Sequence, residues 1–173
     1  MINELRCLKT DGISLRMQKH KVSGFYHYGI AVKDLGTITD FFVEFLGLSL
    51  VASREIRAPY IQNLVGSSDV WAEVNMLALD SSSYLEILRW HEGSKSEESV
   101  QGAITSFGAQ HLCLYVPDLD SLFQEIKQLP IVEIISSGVT TVSEGPNVGA
   151  KVAFILVDQC LYIELFQKPV FRD

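Results

Sequence analysis

Two short apolar runs with strand character, His27-Tyr-Gly-Ile-Ala-Val32 and His111-Leu-Cys-Leu-Tyr-Val116, each lead through an Asp-Leu pair into a stretch of helical periodicity. In the first, Leu35, Ile38, Phe41, Phe42, Phe45 and Leu46 share one helix face, Asp34 stands where an N-cap carboxylate is expected, and Gly47 follows as a C-terminal stop. In the second, Pro117-Asp118 opens a helix whose apolar face is Leu119, Leu122, Phe123, Ile126 and Leu129. The pattern predicts strands over Leu48 to Glu55, Val70 to Leu79 and Ser83 to Trp90, with a short turn or helix over Tyr60 to Val65. After the second helix it predicts strands around Val132 to Ser136, Lys151 to Val157 and Leu161 to Gln167, with a glycine-bearing loop Glu144-Gly-Pro-Asn-Val-Gly149 between them. The chain therefore states one β-α-β-β-β unit twice, an internal repeat that governs the fold.

The boundaries that follow are an N-terminal hairpin and connector over 1–24, a first module over 25–91, a polar linker over 92–109, a second module over 110–168 and a tail over 169–173. The hairpin rests on Asp11-Gly12 between two alternating runs. The fold class is α+β.

Composition narrows the function. The 173 residues are 47% hydrophobic and 20% charged, which suits a folded globular chain rather than a disordered one. A net charge of −7 argues against nucleic acid, which asks for a basic face. No apolar run approaches the roughly 20 residues of a membrane span, and Met1-Ile-Asn-Glu-Leu-Arg lacks a signal-peptide layout, so a cytoplasmic protein is expected. Cys7, Cys113 and Cys160 are scattered, have no CxxC spacing, and read as reduced packing residues. His20 and His91 lie in or beside connectors.

Each module closes on a strand with a lone carboxylate among apolar residues, Tyr84-Leu-Glu86-Ile-Leu and Tyr162-Ile-Glu164-Leu-Phe. Strand alternation puts His27 on the face of Gly29 and Ala31, and His111 on that of Cys113 and Tyr115. Two imidazoles and two carboxylates, one of each per repeat, suit one divalent ion of the Zn, Ni, Co, Mn or Fe group and leave positions for water or substrate oxygens. The ligand set is then His27, Glu86, His111 and Glu164, assembled at the junction of the modules.

Residues 25–168 resemble the vicinal-oxygen-chelate superfamily, which includes glyoxalase I, methylmalonyl-CoA epimerase, extradiol dioxygenases and the fosfomycin and bleomycin resistance proteins. The matching motifs are His27-x-x-Ile-x-Val-x-Asp-Leu with Phe-Leu-Gly-Leu48, Leu-Glu86-Ile-Leu, His111-x-x-Leu-x-Val-x-Asp-Leu, Gly-Pro-Asn-x-Gly149 and Ile-Glu164-Leu-Phe-Gln167. A departure is Val157-Asp-Gln-Cys160, which stands where an Asp-Pro-Asp-Gly turn is common. The resemblance implies two βαβββ modules forming a curved mixed sheet around a metal cavity. It implies a glyoxalase-like lyase, isomerase or epimerase acting on a small carbonyl or thioester substrate through a metal-bound enediolate, with Glu86 and Glu164 as the candidate bases. Alternatives are an extradiol-type dioxygenase and a metal-free small-molecule binding or resistance protein. Arg54, Arg57 and Arg89 are the cationic candidates for an anionic substrate handle, and Tyr60, Tyr115 and Asn147 are candidate pocket residues. A homodimer is expected.

Overall fold

The computed structural model describes residues 22–65, 70–91 and 103–169. The expected hairpin at 5–17 and most of the linker and tail lie outside the described residues.

The first module runs β1 (His27–Ala31), α1 (Leu35–Asp40), β2 (Ser49–Ile56), α2 (Pro59–Val65), β3 (Trp71–Ala78) and β4 (Tyr84–His91). The second runs β5 (His111–Tyr115), α3 (Leu119–Ile126), β6 (Val132–Ile134), β7 (Thr140–Thr141), β8 (Lys151–Val157) and β9 (Leu161–Gln167). Asp34 and Asp118 cap the helices alike: each carboxylate accepts from the backbone amide three residues on, Thr37 and Ser121. The Thr37 amide, and then its hydroxyl, hold the Asp34 carboxyl below its ordinary value of 3.8. The apolar face expected of the first helix continues past α1 as a π-helical turn, Phe41–Phe45, and Gly47 turns the chain with φ +74°.

Each module closes its own sheet. The first has strand order β1-β4-β3-β2 and the second β5-β9-β8-β6, with the two-residue β7 added on β8. In both, the first strand lies parallel to the last and every other pairing is antiparallel. The hairpin between β8 and β9 places two non-glycine residues, Asp158 and Gln159, in the left-handed region at φ 48° and 54°.

One apolar core joins the modules. It collects the helix-facing residues of the first sheet (Ile30, Leu77, Leu85, Ile87), those of the second (Ala153, Ile155, Val157, Ile163, Leu165), and Ile38, Phe42, Leu119, Phe123 and Ile126 from the segments that cover them. By strand alternation the odd members of β1 and β5, which include both histidines, face away from this core. Among the described residues no helix is long and apolar enough to cross a membrane.

Candidate functional site

The parallel pairing of first and last strand sets the geometry, and it does so identically in the two modules. In the first, His27 is opposite Tyr84 and Gly29 opposite Glu86. In the second, His111 is opposite Tyr162 and Cys113 opposite Glu164. Each glutamate therefore sits diagonally from its histidine on the same face. His27 Nε2 lies 3.5 Å from Glu86 Oε2, and His111 Nε2 lies 3.1 Å from Glu164 Oε2. The histidines are 37% and 41% exposed and the glutamates 17% and 21%, so both pairs are sheltered at the base and open above. Aromatic edges steady the imidazoles: Tyr26 meets His27 at 5.2 Å between centroids and Phe154 meets His111 at 5.3 Å.

The modules differ in what stands beside the carboxylate. A Cβ added at Gly29 would lie 3.4 Å from Glu86 Oε2, so the glycine leaves that oxygen room. At the matching position Cys113 hydrogen-bonds with Glu164, and its thiol is pushed up to about 11 by burial and by the neighbouring carboxylate. Cys113 is thus part of the floor around Glu164 rather than a packing residue.

The four residues read as one site stand as two His–Glu pairs. Among the described residues no three His, Cys, Asp or Glu side chains gather closely enough to hold a metal ion. The shared core explains this: the modules pack through their helix-facing sides, which leaves each pair on the far side of its own sheet. The donors nonetheless fit a divalent ion of the borderline class, since each pair offers an imidazole nitrogen and a carboxylate oxygen toward open space.

The other candidates separate by face. Arg54, opposite Val74 in a register that carries on through Met76 opposite Glu86, shares the His27 face. Tyr115, opposite Phe166, shares the His111 face and is 70% exposed. Tyr60 is exposed on α2, and Asn147 is exposed in the loop before β8. Arg57 and Arg89 lie on the opposite face and are already engaged. The Arg57 guanidinium stacks 3.4 Å from the Trp71 ring centre and donates to Glu55, while Arg89 reaches Glu73 at 3.8 Å. His91, expected at the edge of a linker, ends β4 on that face, stacked 3.8 Å from Trp71 and bonded to Glu73 at 2.6 Å. Parity in the sequence already carries this placement for Arg89: it is an odd step from Glu86 and so faces the other way.

No family model matches the chain. Over 131 residues it is 27% identical to the ATP phosphoribosyltransferase regulatory subunit of Geobacillus thermodenitrificans, an overlap of 76% of this chain and 32% of that protein, so the chain spans about a third of that relative. It is 21% identical over 147 residues to a 2-epi-5-epi-valiolone epimerase of an Actinomyces species, covering 83% of this chain and 79% of the epimerase. A glyoxalase family protein from Bacillus cereus superposes with TM-score 0.75 at 19% identity, over 89% of this chain and 99% of the other. The trypanothione-dependent glyoxalase I of Leishmania major gives 0.55 at 19%, over 84% and 87%. The fosfomycin resistance protein FosX of Listeria monocytogenes, in complex with Mn(II) and sulfate, gives 0.53 at 15%, over 87% and 96%. With its tandem βαβββ units and parallel first-to-last strand pairing, the chain therefore has the vicinal-oxygen-chelate fold seen in glyoxalase family proteins.

Proposed function

We propose that the chain is a metal-dependent, glyoxalase-type enzyme that moves a proton next to a carbonyl of a small substrate, as a lyase, isomerase or epimerase. The observation that carries this reading is the duplicated geometry: the same strand register delivers an imidazole and a carboxylate to the same place on two sheets. Structural likeness to a Mn(II)-bound protein and sequence similarity to an epimerase agree with it.

His27 and His111 would hold a divalent ion with Glu86 and Glu164; the ion supplies Lewis acidity that stabilises negative charge developing on a substrate oxygen. The chain's own residues do the remaining work. A carboxylate takes the proton from the carbon beside the carbonyl and returns it, and the aromatic edges of Tyr26 and Phe154 keep the imidazoles aimed. Because the pairs lie on sheet faces turned away from a shared core, a second copy of the chain completes each centre: His27 and Glu86 of one protomer meet His111 and Glu164 of its partner.

Elemental analysis of protein purified without added metal or chelator tests the first part. About one transition metal per chain is expected, lost in a His27→Ala, Glu164→Ala double variant that circular dichroism shows to be folded; no metal even after reconstitution would overturn the reading in favour of a binding protein. Complementation tests the second. Neither His27→Ala nor His111→Ala alone holds metal, but mixed and allowed to exchange they recover about a quarter of the sites, since about half the dimers are mixed and each carries one intact centre of two. No recovery despite exchange would place the centre within one chain.

A further inference from the structure

We propose that the hollow between Tyr115 and Lys168, at the far end of the His111 face, is an anion subsite that holds the charged tail of the substrate. The proposal rests on the open face being the reacting face, and it names a substrate class: carbonyl compounds with a carboxylate or phosphate at the end of an extended linker.

The hollow has a volume of about 360 Å³ and is lined by Tyr115, Val116, Pro117, Gln167 and Lys168. Its walls are fixed from several sides. Gln167 accepts a hydrogen bond through Oε1 from the Leu119 amide at the start of α3, and Val116 donates its amide to the Phe166 carbonyl. The Tyr115 ring meets Phe166 edge-on at 5.6 Å. The loop carrying Asn147 leans on the same corner, where Gly149 comes close enough to Pro169 that an added Cβ would lie 3.4 Å from it.

Lys168 supplies the charge. Its ammonium lies 4.2 Å from the Tyr115 ring centre, and among the described residues no carboxylate pairs with it. Arg57, Arg89 and Lys151, by contrast, are paired with Glu55, Glu73 and Asp120. In a chain of net charge −7, a lysine resting on an aromatic wall at the end of the candidate site, with no carboxylate partner among the described residues, has a local field suited to an anion. The strand sets its reach: Lys168 is four residue steps beyond Glu164, roughly 13 Å at the rise of a strand. A substrate whose anionic group lies about that far from the reacting carbon spans both. The first module has no counterpart, for the positions matching Tyr115 and Lys168 hold Ala31 and Trp90. The tail is therefore bound by the second module alone, which orients an asymmetric substrate across an otherwise duplicated site.

The test is an NMR titration of the full chain, freed of metal by chelator, with inorganic phosphate and separately with succinate. Saturable shifts centred on Tyr115 and residues 166–168 are expected. Lys168→Gln should weaken the apparent affinity about tenfold, the scale of one charge-assisted contact, while Lys168→Arg keeps most of it. The tighter of the two probes then assigns the tail as a phosphate ester or a carboxylate. Equal curves for wild type and Lys168→Gln, or shifts centred on His27 and His111 instead, would overturn the subsite. No metal is needed, so this result is independent of the elemental analysis.

Discussion

The two modules share a scaffold and solve its interior differently. Counting from the capping aspartates, Thr39 and Phe123 occupy the same place on the first helical segment; counting from the glutamates, Asn75 and Ala153 occupy the same place on the neighbouring strand. In the first module these residues form a buried polar pair: Asn75 Nδ2 donates to Thr39 Oγ1 at 2.8 Å, Thr39 donates on to the Leu35 carbonyl at 2.6 Å, and Asn75 Oδ1 has no partner among the described residues. In the second, a large and a small apolar residue stand there in the common core. The strand register that places histidine and glutamate is unchanged by this. The lesson is that the site depends on the parallel strand pairing, while the layer beneath it is free to be polar or apolar.

The comparison is sharpest where the layers are equivalent. Leu85 and Ile163 are both fully buried beneath the parallel pairs. Leu85→Ala and Ile163→Ala should each cost about 2–5 kcal/mol, read from denaturant midpoints, and a large difference between them would show that one module carries the fold. A smaller effect tests the polar pair. Asn75→Ala should cost about 1–3 kcal/mol by removing a donor from the buried Thr39 hydroxyl. Adding Thr39→Phe, which installs the second module's solution, should recover part of that loss in the same assay; further destabilisation would mean that the two interiors are not interchangeable.

The smallest effect lies at an exposed cap. Asp34 titrates below its ordinary 3.8 in the folded chain because the Thr37 amide and hydroxyl favour the carboxylate. A depressed folded value stabilises above the unfolded value and is lost as pH falls toward the folded one, so this contribution is complete above pH ~4 and fades below it. Asp34→Asn should flatten that part of the acid limb in a pH series of unfolding curves; an unchanged limb would remove the cap from the account.

Much of this was legible in the sequence because both the repeat and the strand alternation are local signals. The pairing of each histidine with a glutamate on one sheet face, the capping aspartates and nearly every strand follow from spacing and repeat. Arg57 was not legible, since its stacking partner Trp71 becomes a neighbour only when β2 and β3 pair. The same holds for His91, whose stack on Trp71 is a cross-strand contact. Nor does periodicity say which side of one module meets the other. That choice rests on the summed burial of two helix-facing sheets, and it separates the His27 pair from the His111 pair. Cys113 was missed for a different reason: small and apolar in composition terms, it gains meaning only opposite Glu164.

The parallel pairing also sets a schedule for synthesis. Among the described residues β1 pairs with β4 alone, so it waits until Tyr84 and the rest of β4 emerge, and β5 likewise waits for β9. At roughly 5–20 residues per second, each histidine-bearing strand spends on the order of several seconds as an unpaired edge. The antiparallel hairpins β3–β4 and β8–β9 are local and form as soon as they appear, so they present a ready template onto which the waiting strand docks last. The candidate site residues are thus placed by the final, slowest step of each module's folding, and crowding or heat that diverts those edges into other sheets would take the candidate site before it takes the rest of the fold.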